Sequence, residues 1–356
     1  MDPPFTSRWQ AYGFALVLAF FLVLPAGLAR SGLVRRQDVY QRIPEKFGAF
    51  SYIGHQIFDD SSDIDILFLG SSVLWSGIDT PHVQYQLSRQ LGRPANVITF
   101  GSNWRGEELN YILLSEVLQR RKVRMLVITM PLSHQSTNLP HPQSFRWLPY
   151  GDNEAALRGL PLRIRLALYG EQVLGAPRHV LGIIRSDIQE KTDFYHALVS
   201  LRGAYRVEGG YLGAPFVLQK TKPPELSARS MIYSPEAQRF FNFTQQPLSP
   251  YQMHFLRLTT ELARRSDVPV AILNIPLSRQ RREAAVEERM HWSEVFGLEM
   301  PIIGVPPATL FRGMTDSEIN RCFYDEHMNL NGSDLLTRTL TPAILTVYEE
   351  HARRSQ

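Results

Sequence analysis

A single cysteine, Cys322, occurs in the 356 residues of this chain. An intrachain disulfide is therefore excluded, and so is a zinc site built on cysteine pairs. Long basic blocks and basic stripes interleaved with aromatics are also lacking, and the net charge is only +4. No nucleic-acid partner is expected from such a chain. Internal repeats, low-complexity tracts and metal-ligand spacings such as His-Glu-x-x-His are missing too, so neither a metal nor another cofactor is expected. What is present is a globular composition, 44% hydrophobic and 20% charged, over a length that can bury one large core.

Charge is absent from Ala11 to Ala29. As a helix this stretch would be about 28 Å long, close to the hydrocarbon thickness of a bilayer. Trp9 and Tyr12 would stand at its interface. Two readings compete. Residues 1–30 are an uncleaved anchor in a bacterial inner membrane, or a cleaved signal peptide with its apolar core at Phe14–Leu24 and a small-residue site near Ala29. The anchor is the reading adopted. Its flanks raise a conflict over sidedness: Arg8 precedes it, whereas Arg30, Arg35 and Arg36 follow. By the positive-inside rule alone, the bulk of the chain would be cytoplasmic.

Residues 31–60 read as a polar juxtamembrane linker with short helical patches. From residue 61 onward, apolar strands alternate with amphipathic helices. Strands are expected at Ile64–Leu69, Asn96–Phe100, Val123–Met130, Pro269–Ile275 and Pro301–Val305. Helices are expected at His82–Leu91 (opened by Asp79-Thr80-Pro81), Glu107–Arg120, Pro250–Arg265, near 278–296, and at Gly332–Arg354. This alternation implies right-handed crossovers and a parallel sheet, hence an α/β fold. A stretch at about 135–245, rich in Pro, Gly and aromatics, breaks the rhythm. It is read as an insertion over the site, with a helical pair near 155–200, inside one domain spanning 61–356.

Two motifs carry chemistry. The first strand runs into Gly70-Ser71-Ser72-Val73. A strand-to-helix turn there puts Ser72 at the carboxyl edge of the sheet, where open α/β folds bind ligands. Backbone N–H groups at a helix start can stabilise an oxyanion. The second motif, Asp325-Glu326-His327-Met328-Asn329 with Gly332, stands just before the last helix. A serine nucleophile needs a base, and the base needs an orienting partner. His327 and Asp325 offer both. Taken separately, each motif also fits a bland role: a serine helix cap, and a surface loop ending in a capping Asn.

Taken together, their chain order resembles that of the SGNH (GDSL-like) hydrolases. Gly70-Ser71-Ser72-Val73 is similar to that family's first block. Thr99-Phe100-Gly101-Ser102-Asn103-Trp104-Arg105-Gly106 is similar to its second, and Asp325 through Gly332 to its fifth. The resemblance covers about 60–140 and 250–354. It implies a three-layer sandwich around a parallel sheet, with Ser72 as nucleophile, His327 as base and Asp325 as orienting acid. It also implies that the Ser72 and Gly101 N–H groups are oxyanion donors. The chain departs from the pattern in three places. Ser71 stands where the family has Asp. Asp325 and His327 are two apart rather than three, so Asp325 or Glu326 could orient the base. The third strand ends in Met130-Pro131-Leu132-Ser133-His134-Gln135, without the family's Asn. Asn103, Gln135 or Asn138 could replace that donor.

With the anchor, these features resemble the membrane-anchored SGNH-like proteins of polysaccharide O-acetylation and teichoic-acid D-alanylation. That resemblance implies acyl transfer through a Ser72 ester to a hydroxyl of a cell-envelope polysaccharide or other polyol. It also implies a periplasmic or extracellular domain working beside a membrane-bound O-acyltransferase. Ester hydrolysis is the same chemistry with water as acceptor. The alternative is a catalytically degenerate domain that binds polysaccharide or scaffolds a membrane synthase. His134, with His141, Arg146 and Trp147, is read as a substrate-contacting loop. Trp75, Trp104 and Tyr211 could stack on sugar rings, although aromatics more often pack in cores.

Overall fold

The computed structural model describes residues 5–43, 48–102, 106–131, 144–148, 156–184, 248–281, 300–324 and 326–354. Its strands are β1 (Ile66–Ser71), β2 (Val97–Ser102), β3 (Leu126–Thr129), β4 (Val270–Leu273), β5 (Ile302–Ile303), β6 (Phe323–Tyr324) and β7 (His327–Met328). The first helices are α1 (Arg8–Ser31), α2 (Arg36–Arg42), α3 (Phe50–Phe58), α4 (Ser72–Gly77), α5 (Thr80–Leu91) and α6 (Glu107–Leu118). They are followed by α7 (Ser144–Trp147), α8 (Leu162–Ile184), α9 (Pro250–Arg265), α10 (Pro307–Leu310), α11 (Asp316–Asn320) and α12 (Leu330–Arg354). The chain divides into two compact units, Met1–Ile43 with Pro142–Glu190, and Pro44–His141 with Lys191–Gln356.

The first unit is helical. Ser7 caps α1 by accepting from the Gln10 N–H, and Gly32 ends it in the left-handed conformation at φ 66°. Among the described residues, α1 is the one helix long and apolar enough to cross a membrane, with a mean hydropathy of 2.2 and 11% of that window buried. A core helix would be covered; this one presents its side chains outward. α8 packs on α1 and on α7. The Tyr169 hydroxyl donates to the Leu22 carbonyl of α1. Arg146 Nε on α7 lies 2.6 Å from the Glu171 carboxylate on α8, and Arg42 Nη2 donates to the Gly182 carbonyl at 2.6 Å.

The second unit is built on a five-stranded sheet in the order β2-β1-β3-β4-β5, every pair parallel. The order reverses at β1, which makes the carboxyl ends of β1 and β3 the topological switch point. Strands of a parallel sheet bury both faces. On one face Ile66, Phe68, Val127, Ala271 and Leu273 form a core with Leu74 of α4, Val83 of α5 and Leu336 and Ile344 of α12. The residues of opposite parity, Leu67, Leu69, Leu126, Ile128 and Ile272, are equally buried, and α6 lies along α9.

The strand and helix expectations agree with these elements in kind, with shifted ends. β1 begins and ends two residues later than expected, which takes Gly70 and Ser71 into the strand. The expected helical patches in 31–60 are α2 and α3. α3 does more than link, since Phe50, Ile53 and Ile57 recur at helical spacing and are buried. Of the expected helix near 278–296, residues 278–280 form one 3₁₀ turn, and 282–296 lie outside the described residues. Of the stretch 135–245, residues 144–148 and 156–184 are described, and they belong to the unit that contains α1.

At the amino end of β1, Asp65 is almost fully buried. It accepts from Arg93 at 2.5 and 3.0 Å, from the Asn96 N–H at 2.9 Å and from the Tyr348 hydroxyl of α12 at 3.0 Å. Burial alone would raise its pKa. The bonds from Arg93, Asn96 and Tyr348 outweigh that and hold it below the ordinary carboxylate value of 3.8. A depressed carboxyl stabilises the fold fully above its unfolded pKa, and the contribution is lost as pH falls through the folded value. Asp65→Asn should therefore cost about 2 kcal/mol at neutral pH, less than a fully buried pair because half of Arg93 faces solvent. Urea titrations in detergent from about pH 7 to pH 2 should show a flatter acid limb for Asp65→Asn. Parallel curves for variant and wild type would contradict the assignment.

Candidate active site

Ser72 is the first residue of α4, directly after β1. Its position depends on two glycines that stand opposite each other, Gly70 on β1 and Gly101 on β2. A Cβ on Gly70 would lie 2.0 Å from Thr129 Oγ1 of β3. A Cβ on Gly101 would lie 3.0 Å from the Trp75 ring and 3.3 Å from the Ser71 carbonyl oxygen. Gly70 is thus required by close packing against β3; the expected turn at Gly70 is instead made one residue later. Trp75 is buried against Gly101, which makes it a core residue and not a sugar platform. Ser71 occupies the N-cap position of α4 without making a side-chain cap bond.

The base arrives from the other end of the chain. β6 and β7 pair antiparallel, Phe323 with Met328 and Tyr324 with His327. Asn329 holds this hairpin against α12. Its Oδ1 accepts from the N–H groups of Asn331 and Gly332, the second and third residues of the helix, at 2.9 and 3.2 Å. Its Nδ2 donates to the carbonyls of Arg321 and Phe323 at 2.7 and 3.3 Å. One side chain therefore caps the helix and ties down the strand before His327. β7 packs on α4, and His327 Nε2 lies 2.9 Å from Ser72 Oγ, across 255 residues of sequence. The two motifs read from the sequence are brought together within hydrogen-bond reach, the geometry a general base needs.

The remaining site expectations divide. Gly101, expected just after the second strand, lies inside β2 and faces Gly70 of β1. Asp325, Asn103, His134, Gln135, Asn138 and His141 lie outside the described residues. Glu326, the other candidate for orienting His327, is engaged elsewhere: its carboxylate lies 3.2 Å from Arg279 Nη1. Its carbonyl accepts from the Ser278 N–H. Arg146, expected in a substrate loop, is paired with Glu171 inside the helical unit. Among the described residues no group of three or more His, Cys, Asp or Glu could hold a metal ion.

A small cavity of about 30 Å³ opens at the carboxyl ends of β1, β3 and β4, lined by Ser71, Glu107, Asn110, Thr129 and Asn274 among others. Ser71 and Val73 on its wall flank Ser72 in the chain; Ser72 and His327 are not part of the lining. The volume suits one hydroxyl-sized group. Sequence reasoning missed Asn110 and Asn274. The signal for Asn274 was a polar residue closing the apolar run Ala271-Ile272-Leu273; Asn110 sits in a helix and gave none.

No protein-family model matches this chain, and no curated protein is significantly similar to it.

Two outcomes follow from this geometry. A fluorophosphonate should label wild-type Ser72. His327→Ala should slow that labelling by about 10³-fold or more, since nucleophile and base act as one unit. Glu326→Gln should change it by less than about 2-fold, because its carboxylate is held by Arg279. Labelling that depends on Glu326 and not on His327 would reverse these roles. Separately, Gly70→Ala should destabilise by about 1–3 kcal/mol through overpacking against Thr129. Thr129→Ala in the same chain should recover part of it; thermal melts of the two variants measure the difference.

Proposed function

We propose that this chain is a membrane-anchored, SGNH-like serine acyltransferase acting on hydroxyls of a cell-envelope or exported polysaccharide. With water as acceptor, the same site is an esterase. The observation that carries the reading is the 2.9 Å contact between Ser72 Oγ and His327 Nε2. The strand order, with its switch point beside Ser72, supports a three-layer sandwich of that type.

In this reading His327 takes the Ser72 proton as Oγ attacks the acyl carbonyl. The Ser72 and Gly101 N–H groups, with Asn103, Gln135 or Asn138, stabilise the oxyanion. Collapse of the tetrahedral species expels the donor's leaving group, which receives the proton from His327, and leaves an acyl ester on Ser72. The acceptor hydroxyl then gives its proton to His327 and attacks that ester. Ser72 departs and regains the proton. Asp325 orients the imidazole, and His134 contacts substrate. The neutral amides of Asn110 and Asn274 and the hydroxyl of Ser71 beside the nucleophile are suited to polyol hydroxyls. The chain's partner is a membrane-bound O-acyltransferase beside which it works, and the catalytic unit lies on the periplasmic or extracellular side of the membrane.

Ser72→Ala should abolish glycan acylation in cells at matched protein levels, while costing only about 1 kcal/mol of stability. His327→Ala should match it. Wild-type acylation by Ser72→Ala would mean that the domain binds or scaffolds and that the chemistry belongs to a partner. The arginines after α1 argue for the opposite sidedness. A C-terminal reporter active only in the cytoplasm would overturn the proposed location.

A further inference from the structure

Among the described residues, α8 carries an apolar face that stays exposed. Leu162, Leu166, Leu174, Leu181 and Ile184 each remain at least 59% exposed. Their separations of four, eight, seven and three residues keep them on one side of a helix. Leu168, Gly175, Ala176, His179 and Gly182 are buried and fall on the opposite side. The helix has a basic balance. Arg163, Arg165 and Arg178 are exposed, and its one acid, Glu171, is paired with Arg146.

The contact with α1 fixes what this face meets. Tyr169 bonds to the Leu22 carbonyl. Leu22 lies nine residues before the end of α1, about 14 Å along the helix axis and inside the apolar stretch. A helix that packs on a membrane span at that depth has lipid as the neighbour of its outer face. We propose that α8 is a second membrane-contacting element, lying in the interfacial leaflet of an acidic phospholipid bilayer beside α1. Its leucine face is sunk among acyl chains, and Arg165 and Arg178, on the two flanks of that face, stand at the phosphates. A helix of mixed composition with an apolar face and a cationic rim binds in this way without spanning. Continuity with α1 and the basic rim both favour lipid over a protein partner. The inference rests on α1 being a membrane span.

The test uses the full-length protein in vesicles of phosphatidylethanolamine and phosphatidylglycerol. Nitroxide labels are placed singly at Leu166→Cys, Leu174→Cys and Leu181→Cys. Leu16→Cys on α1 and Arg257→Cys on α9 serve as references. The native Cys322 is buried, its thiol pushed up to about 11 by burial, and does not compete for label. The α8 labels should be accessible to oxygen and shielded from a water-soluble nickel chelate, as at Leu16, with Arg257 showing the reverse. Changing Arg165 and Arg178 to Glu should raise nickel access in phosphatidylglycerol vesicles. Nickel access at α8 equal to that at Arg257 would overturn the proposal while leaving the anchor intact. Exclusion of both reagents would overturn it in favour of a protein covering. Nickel access at Leu16 as well would remove the anchor reading itself.

Discussion

Tyr348 lies in α12 and His327 in β7 just before that helix, and both reach the segment that carries β1. Tyr348 bonds Asp65 just before the strand, and His327 bonds Ser72 just after it. The lengths agree. Seven residues of extended chain span about 23 Å. Eighteen helical residues, from the start of α12 to Tyr348, span about 27 Å. Between the two ends, the Asp79 N–H donates to Thr337 of α12 at 2.8 Å. The last helix is thus a strap laid antiparallel to the first strand. This fastening decides where the β6–β7 hairpin arrives, and so whether serine and imidazole meet.

The carboxyl edge shows what the strap serves. Two facing glycines let β1 approach β3 and let the Trp75 ring cover β2. The backbone there is packed as closely as side-chain-free strands allow. Ser72 follows on a helix of only six residues, with little freedom to reorient. On the histidine side, Asn329 ties helix and hairpin together through four hydrogen bonds. Both partners are held by backbone that is itself pinned, so the Ser72–His327 contact is held in place from both sides.

Much of this was legible in the sequence. Apolar runs of β-branched residues at regular spacing gave the parallel sheet. A serine after the first strand and a histidine before the last helix gave the pair, because a parallel sheet collects such loops at one edge. The rest depended on contacts between distant residues. The role of Gly70 is set by Thr129 on another strand, which no local pattern shows. The pairing of Glu326 with Arg279 joins residues 47 apart, and no local pattern shows it. α3 read as linker because its apolar stripe is short. α8 read as half of a helical pair within an insertion, and its pairing with α1 joins residues 147 apart, as between Leu22 and Tyr169.

The long separation between Ser72 and His327 has a consequence for biosynthesis. Synthesis proceeds from the amino terminus, and His327 lies on a hairpin made 255 residues after Ser72. The strap that positions it is made later still. A nascent chain that has emerged as far as β4 carries the serine with no imidazole beside it. The apolar helix α1 and most of the sheet are made before the Ser72–His327 contact can exist. The serine–histidine contact therefore forms only when the last described helix closes along the first strand.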